Sequence, residues 1–122
     1  MAMTVPYPTG AAWITMGEPR PAYAYVGGER SDRRVMDSRG RPVSRVSAVG
    51  CPAGDDVSTV TIEIPDDAAG ECAGGRVIAL DGDQLGMQLS GGDFGSIRVK
   101  IFGADAVRVL GQAAPLLLER AK

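Results

Sequence analysis

The segment Ser58-Thr-Val-Thr-Ile-Glu-Ile64 constrains the fold more than any other part of the chain. Val60, Ile62 and Ile64 alternate with Thr59, Thr61 and Glu63, the period of a strand with one buried and one wet face. The pattern recurs in Ser96 to Phe102, where Ile97, Val99 and Ile101 alternate with Arg98, Lys100 and Phe102. Val43 to Val49 and Ala106 to Leu110 are further short β-type runs, and Arg76 to Asp81, Leu85 to Leu89 and Ser96 to Phe102, separated by Gly82-Asp83-Gln84 and Gly91-Gly92-Asp93, read as consecutive hairpins. Trp13 to Met16 and Ala22 to Val26 also have strand composition and read as one interrupted strand. The prolines at 6, 8, 19 and 21 forbid a continuous helix near the start, so residues 1–10 read as a Pro-rich extended arm. Glu29 to Arg41 is polar without apolar periodicity and reads as a long mobile basic loop. Ala68 to Gly75 holds at most one helical turn, and a short helical turn is predicted over Gln112 to Arg120, with Pro115 in its first turn.

About seven short strands with almost no helix predict an all-β domain spanning residues 1–122. The architecture read from this pattern is a small antiparallel Greek-key barrel of the OB type, with a β-sandwich as the alternative. A chain of 122 residues is one domain and can bury a core without metals or disulfides.

The charge is unevenly distributed. Thirteen Lys and Arg stand against fifteen Asp and Glu, but six arginines fall between Arg30 and Arg45 against Asp32 and Asp37. From Cys51 to Asp83 the balance reverses, with eight acids against Arg76 alone. Opposite faces of opposite charge, or neutralisation between neighbouring loops, are the two physical outcomes.

The chain contains no histidine, which removes Ser-His, Cys-His and His-ligated metal chemistry. A serine nucleophile would lack a base, because there are only two lysines and one is the last residue. Cys51 and Cys72 cannot complete a four-ligand zinc site without carboxylates or a second chain, and they read by default as reduced thiols, with a disulfide between them left open by the sequence. The pairs Asp55-Asp56 and Asp66-Asp67 read as solvated loop acids. No phosphate-binding glycine motif is present. The reading is a non-enzymatic protein without cofactor or metal. No leader-like or membrane-length apolar run is visible, so the expected location is cytoplasmic.

Binding then remains. Single-stranded nucleic acid is held by cationic grooves with aromatic faces on which bases stack. The candidates are the arginines Arg33, Arg34, Arg39, Arg41 and Arg45, the strand pair Arg98 and Lys100, and the rings Trp13, Tyr23, Tyr25 and Phe102. Arginine outnumbers lysine eleven to two, which suits forked phosphate contacts. The second reading is a self-assembling structural or adaptor protein whose oppositely charged faces pair between copies or with a partner.

The box Asp37-Ser38-Arg39-Gly40-Arg41-Pro42 followed by the strand Val60-Thr-Ile-Glu-Ile-Pro65 resembles the plasmid replication, integration and excision activator proteins of actinobacterial integrative elements. The resemblance covers Arg33 to Pro65. It implies an accessory DNA-transaction protein of a mobile element, with no catalytic role for the box. The family's aromatic after the box is replaced here by Val43-Ser44-Arg45-Val46.

Overall fold

The computed structural model of the chain describes residues 2–8, 10–50, 58–72, 74–91 and 97–112. Ten strands dominate it: β1 (Ala2–Pro6), β2 (Trp13–Pro21), β3 (Tyr23–Val26), β4 (Glu29–Arg34), β5 (Val43–Gly50), β6 (Ser58–Pro65), β7 (Arg76–Asp81), β8 (Gly86–Gly91), β9 (Ile97–Phe102) and β10 (Ala106–Gln112). A single turn of helix, α1 (Asp66–Ala69), and a 3-10 turn (Gly70–Cys72) join β6 to β7. The protein is all-β, as its alternating runs dictate.

Eight strands form one sheet in the order β1-β8-β9-β6-β5-β2-β7-β10, and β3 and β4 pair separately as a hairpin. All pairings are antiparallel except β6 with β9, which run parallel with Val60 beside Val99 and Ile62 beside Ile101. The sheet is not closed into a barrel; β1 and β10 are its two edges.

This sheet cannot be flat. β9 and β10 stand five places apart, which at a spacing of about 4.8 Å is about 24 Å in a flat sheet. Only residues 103–105 join them, a reach of about 14 Å at most. β7 and β8 are also five places apart, joined by residues 82–85. The sheet is therefore rolled so that its halves face one another across a core. Trp13, Val46, Val60, Ile62, Ile64, Ile78, Leu80, Met87 and Ile101 fill that core, with Val5 of β1 and Val107 of β10 packed against it. Trp13 is fully buried, and its Nε1 donates to the Tyr7 hydroxyl at 2.7 Å, which ties the end of β1 to β2.

Four expectations need correction. Residues 2–6 are no free arm: they pair with β8 from Ala2–Ser90 to Pro6–Gly86, with the proline at the strand end and sheet edge, where a missing donor is tolerated. The Trp13 to Val26 region is two strands in different sheets, since β2 pairs with β5 and β7 while β3 leaves to pair with β4. Glu29 to Arg34 is thus a strand within the supposed loop. β7 and β8 are not a hairpin either, because the turn between them carries the chain across the roll. Cys51, the Asp55-Asp56 pair and the expected helical turn beyond Gln112 lie outside the described residues. Among the described residues, no helix is long and apolar enough to cross a membrane.

Candidate nucleic-acid interface

The register of the sheet sorts the predicted site residues. Core side chains alternate with outward ones, so neighbours in register share a face. One outward row runs Thr4, Gln88, Lys100, Thr61, Ser47 and Met16 across six adjacent strands. Beside it Ser90 pairs with Arg98, and on the other side Arg20, Arg45 and Glu63 stand in line. Arg20 and Arg45 are directly opposed, an arrangement of like charges that costs free energy unless an anion relieves it. Glu63 relieves it in part, accepting from Arg45 Nε at 3.0 Å and Nη2 at 2.8 Å, with Lys100 Nζ at 3.7 Å.

The hairpin β3–β4 stands over one end of this face. It encloses with β2 and β5 an open groove of about 490 Å³ whose walls include Glu18, Arg20, Tyr23, Tyr25, Arg30, Arg45, Ser47 and Thr61. The Arg30 guanidinium lies 5.1 Å from the Tyr23 ring centroid, and that of Arg34 lies 5.6 Å from it. Tyr23 is therefore already covered by cations, whereas Tyr25 is 68% exposed. Arg20, Arg30 and Arg98 are exposed and have no ion pair among the described residues.

Most of the predicted arginine stripe is used inside the molecule. Arg34 donates to Asp66 Oδ1 at 2.6 Å and to the Val43 carbonyl at 2.9 Å, anchoring the hairpin to the start of α1. Arg41 joins Asp37 at 2.8 Å to Asp105 at 2.6 Å, and Arg39 lies 3.3 Å from Asp105 and 3.6 Å from Asp83. These pairs pin the turn 35–42 onto the β7–β8 and β9–β10 connections. Neutralisation between loops is thus the outcome for Arg39 and Arg41, Arg34 is neutralised by Asp66 at the start of α1, and Arg45 by its cross-strand neighbour Glu63. Arg33 is exposed and unpaired among the described residues, but it lines a different hollow, with Ala24 and Met36.

The Asp37 to Pro42 box is a turn-building device. Asp37 Oδ1 accepts the backbone N–H groups of Arg39 and Arg41, both at 2.9 Å, and Gly40 takes a φ of 76° that a side chain would resist. Burial alone would raise the Asp37 carboxyl, but those two N–H groups and the Arg41 guanidinium outweigh it and hold its pKa below 3.8. The Arg34 hydrogen bond lowers Asp66, and the Arg41 hydrogen bond lowers Asp105, in the same way.

Of the four rings, Trp13 is removed from any interface because it is the centre of the core. Phe102 is half-buried on the outward face over Gly86. Arg45, Lys100, Tyr23 and Tyr25 are brought to one face, with Arg98 in an adjoining row. Arg20 and Arg30 join them without having been singled out; their signal is cross-strand register, which a run of residues does not display. Cys72 is buried, and burial pushes its thiol up to about 11, so it is a packing residue. No group of three or more Cys, Asp or Glu that could hold a metal ion occurs among the described residues. Comparison of the chain with family models, curated proteins and solved structures returned no match.

Proposed function

We propose that this chain is a non-enzymatic accessory protein that binds single-stranded DNA, serving the replication or transfer of a mobile element. The observation that carries the reading is the outward face beneath the β3–β4 hairpin. There Arg20 and Arg30 stand without an ion pair among the described residues and Tyr25 offers an open ring, while further along the same face Arg98 is unpaired among the described residues and Arg45 and Lys100 share the one carboxylate of Glu63. Arginines neutralise phosphates and release counterions, the hydroxyls of Ser47 and Thr61 add uncharged hydrogen bonds, and Tyr25 stacks a base. The chemistry needs no nucleophile or metal.

Fold-level analogy supports the same surface. We read β7-β2-β5-β6-β9 as the five strands of a partly open OB-type barrel, with α1 between the third and fourth and with β1, β8 and β10 as additions. Proteins of that type bind oligonucleotides on the face of strands two and three and on the loops joining strands one to two and four to five. In this chain those are β5 and β6, the β3–β4 hairpin, and the segment containing β8.

The test is anisotropy of labelled single-stranded and duplex oligonucleotides at low and moderate salt. Preferential, steeply salt-dependent binding to single strands is expected, and the Arg20→Ala/Arg30→Ala/Tyr25→Ala variant should lose at least tenfold in affinity, since one stacked base alone contributes about 1–3 kcal/mol. Equal affinity of variant and wild type would overturn the assignment, as would a complete absence of binding at low salt.

A further inference from the structure

A second cavity opens at the far end of the same outward face. It has a volume of about 360 Å³ and is roofed by the turn 35–42; Thr4, Ser38, Gln84, Gln88, Lys100 and Phe102 are among its walls. Its acids are committed, Asp37 to Arg41 and Glu63 to Arg45 at 2.8 Å, with Lys100 of the same wall 3.7 Å from the Glu63 carboxylate. Gln84 is half engaged, its Oε1 accepting from Ser38 Oγ at 2.8 Å. Gln88 is not engaged: it is half-buried, lines the cavity, and its amide has no hydrogen bond among the described residues. The Phe102 ring lies against Gly86, where an added Cβ would come within 2.7 Å of Cζ, so the glycine gives the ring its seat.

Resting on the reading of the face as a single-strand path, we infer that this cavity receives one base of the bound strand and that the base is adenine. The volume suits one nucleobase. An aromatic wall provides a stacking surface, and Lys100, whose acid partner Glu63 is shared with Arg45, stands beside it for the adjacent phosphate. A free primary amide pairs through one donor and one acceptor with either open edge of adenine, the one base that presents such a pair on both its Watson–Crick and its Hoogsteen edge. The groove under the hairpin contains no such uncommitted amide, so it binds without sequence preference, and discrimination resides at the β8–β9 end.

The experiment compares dA, dT, dC and dG homo-oligomers of eight nucleotides by fluorescence anisotropy against the wild-type chain, Gln88→Leu and Gly86→Ala, with circular dichroism checking each fold. The wild type should prefer dA over dT by about tenfold, the low range for one bidentate contact. Gln88→Leu should weaken dA more than dT and remove the preference between them. Gly86→Ala, which displaces the ring, should weaken dA more than dT. Equal wild-type affinity for all four oligomers would overturn the pocket and leave the proposed function standing, and so would a Gln88→Leu protein that still prefers dA. Saturable binding of adenosine monophosphate with no binding of any oligomer would have the opposite meaning, keeping the adenine pocket and overturning its place on a strand path.

Discussion

The hairpin β3–β4 and the turn 35–42 are consecutive in the chain and equally rich in arginine, yet the turn spends both of its arginines on acids and the hairpin only Arg34. In the turn, Arg39 and Arg41 point into a lattice of Asp37, Asp83 and Asp105 and hold loops together. On the hairpin, Arg30 rests on Tyr23 without a carboxylate partner among the described residues, next to an open Tyr25. The density of positive charge along a chain therefore says little about where a polyanion would be held. What decides is whether the fold brings an acid within reach of each guanidinium.

The same division holds for the rings, and there it predicts the largest effect. Trp13→Ala removes a fully buried indole that also anchors Tyr7, and should cost about 3–5 kcal/mol in urea unfolding. Tyr25→Ala should change stability by less than about 0.5 kcal/mol. A Tyr25 variant as damaged as the Trp13 variant would mean that the hairpin is part of the core.

Next comes the turn. Asp37→Ala deletes two backbone hydrogen bonds and one of the two acid partners of Arg41, a loss of about 1–3 kcal/mol in urea unfolding. The acid limb of stability has the same origin. Asp37, Asp66 and Asp105 are held below 3.8 when folded, so their contribution is complete above that value and is lost as pH falls through the folded values. Thermal melts from pH 6 to pH 2.5 should show stability falling at the acid end, and Asp37→Asn should make that fall shallower. An unaltered acid limb in Asp37→Asn would separate the turn from the pH dependence.

The central strands β5, β6 and β9 were legible because apolar and polar residues alternate along them, and the core from Val43 to Ile101 follows from that period, whereas β1, with Pro6 at its end, shows no such alternation and read as an arm. The hairpin was not, because Glu29 to Arg34 is held by Ser31 on the Ala24 carbonyl and by Arg34 reaching Asp66, without an apolar stripe to announce a strand. The turn between β7 and β8 was misread for a different reason: a tight turn has the same composition whether it closes a hairpin or carries the chain across a rolled sheet. The fate of the arginines was hidden by distance in sequence, since Arg34 and Asp66 are 32 residues apart and Arg41 and Asp105 are 64. The opposition of Arg20 and Arg45 depends on a register that shifts between Met16 and Arg20, an irregularity no local pattern records.

The smallest effect gives the sharpest test of the division between spent and unspent arginines. Arg39 is half exposed and its acid partners are at 3.3 and 3.6 Å, so by exposure alone it is as available to a phosphate as many interface arginines. Arg98 is exposed on the outward face without an ion pair among the described residues. If pairing rather than exposure governs, Arg98→Ala should lower the slope of log affinity against log salt by about 0.7, the value for one contact on a single strand, and Arg39→Ala should leave it unchanged. Equal reductions in both would show that polyanion binding opens the Asp83–Arg39–Asp105 contacts, and Arg39 would then count among the phosphate contacts rather than among the ion pairs that hold the turn in place.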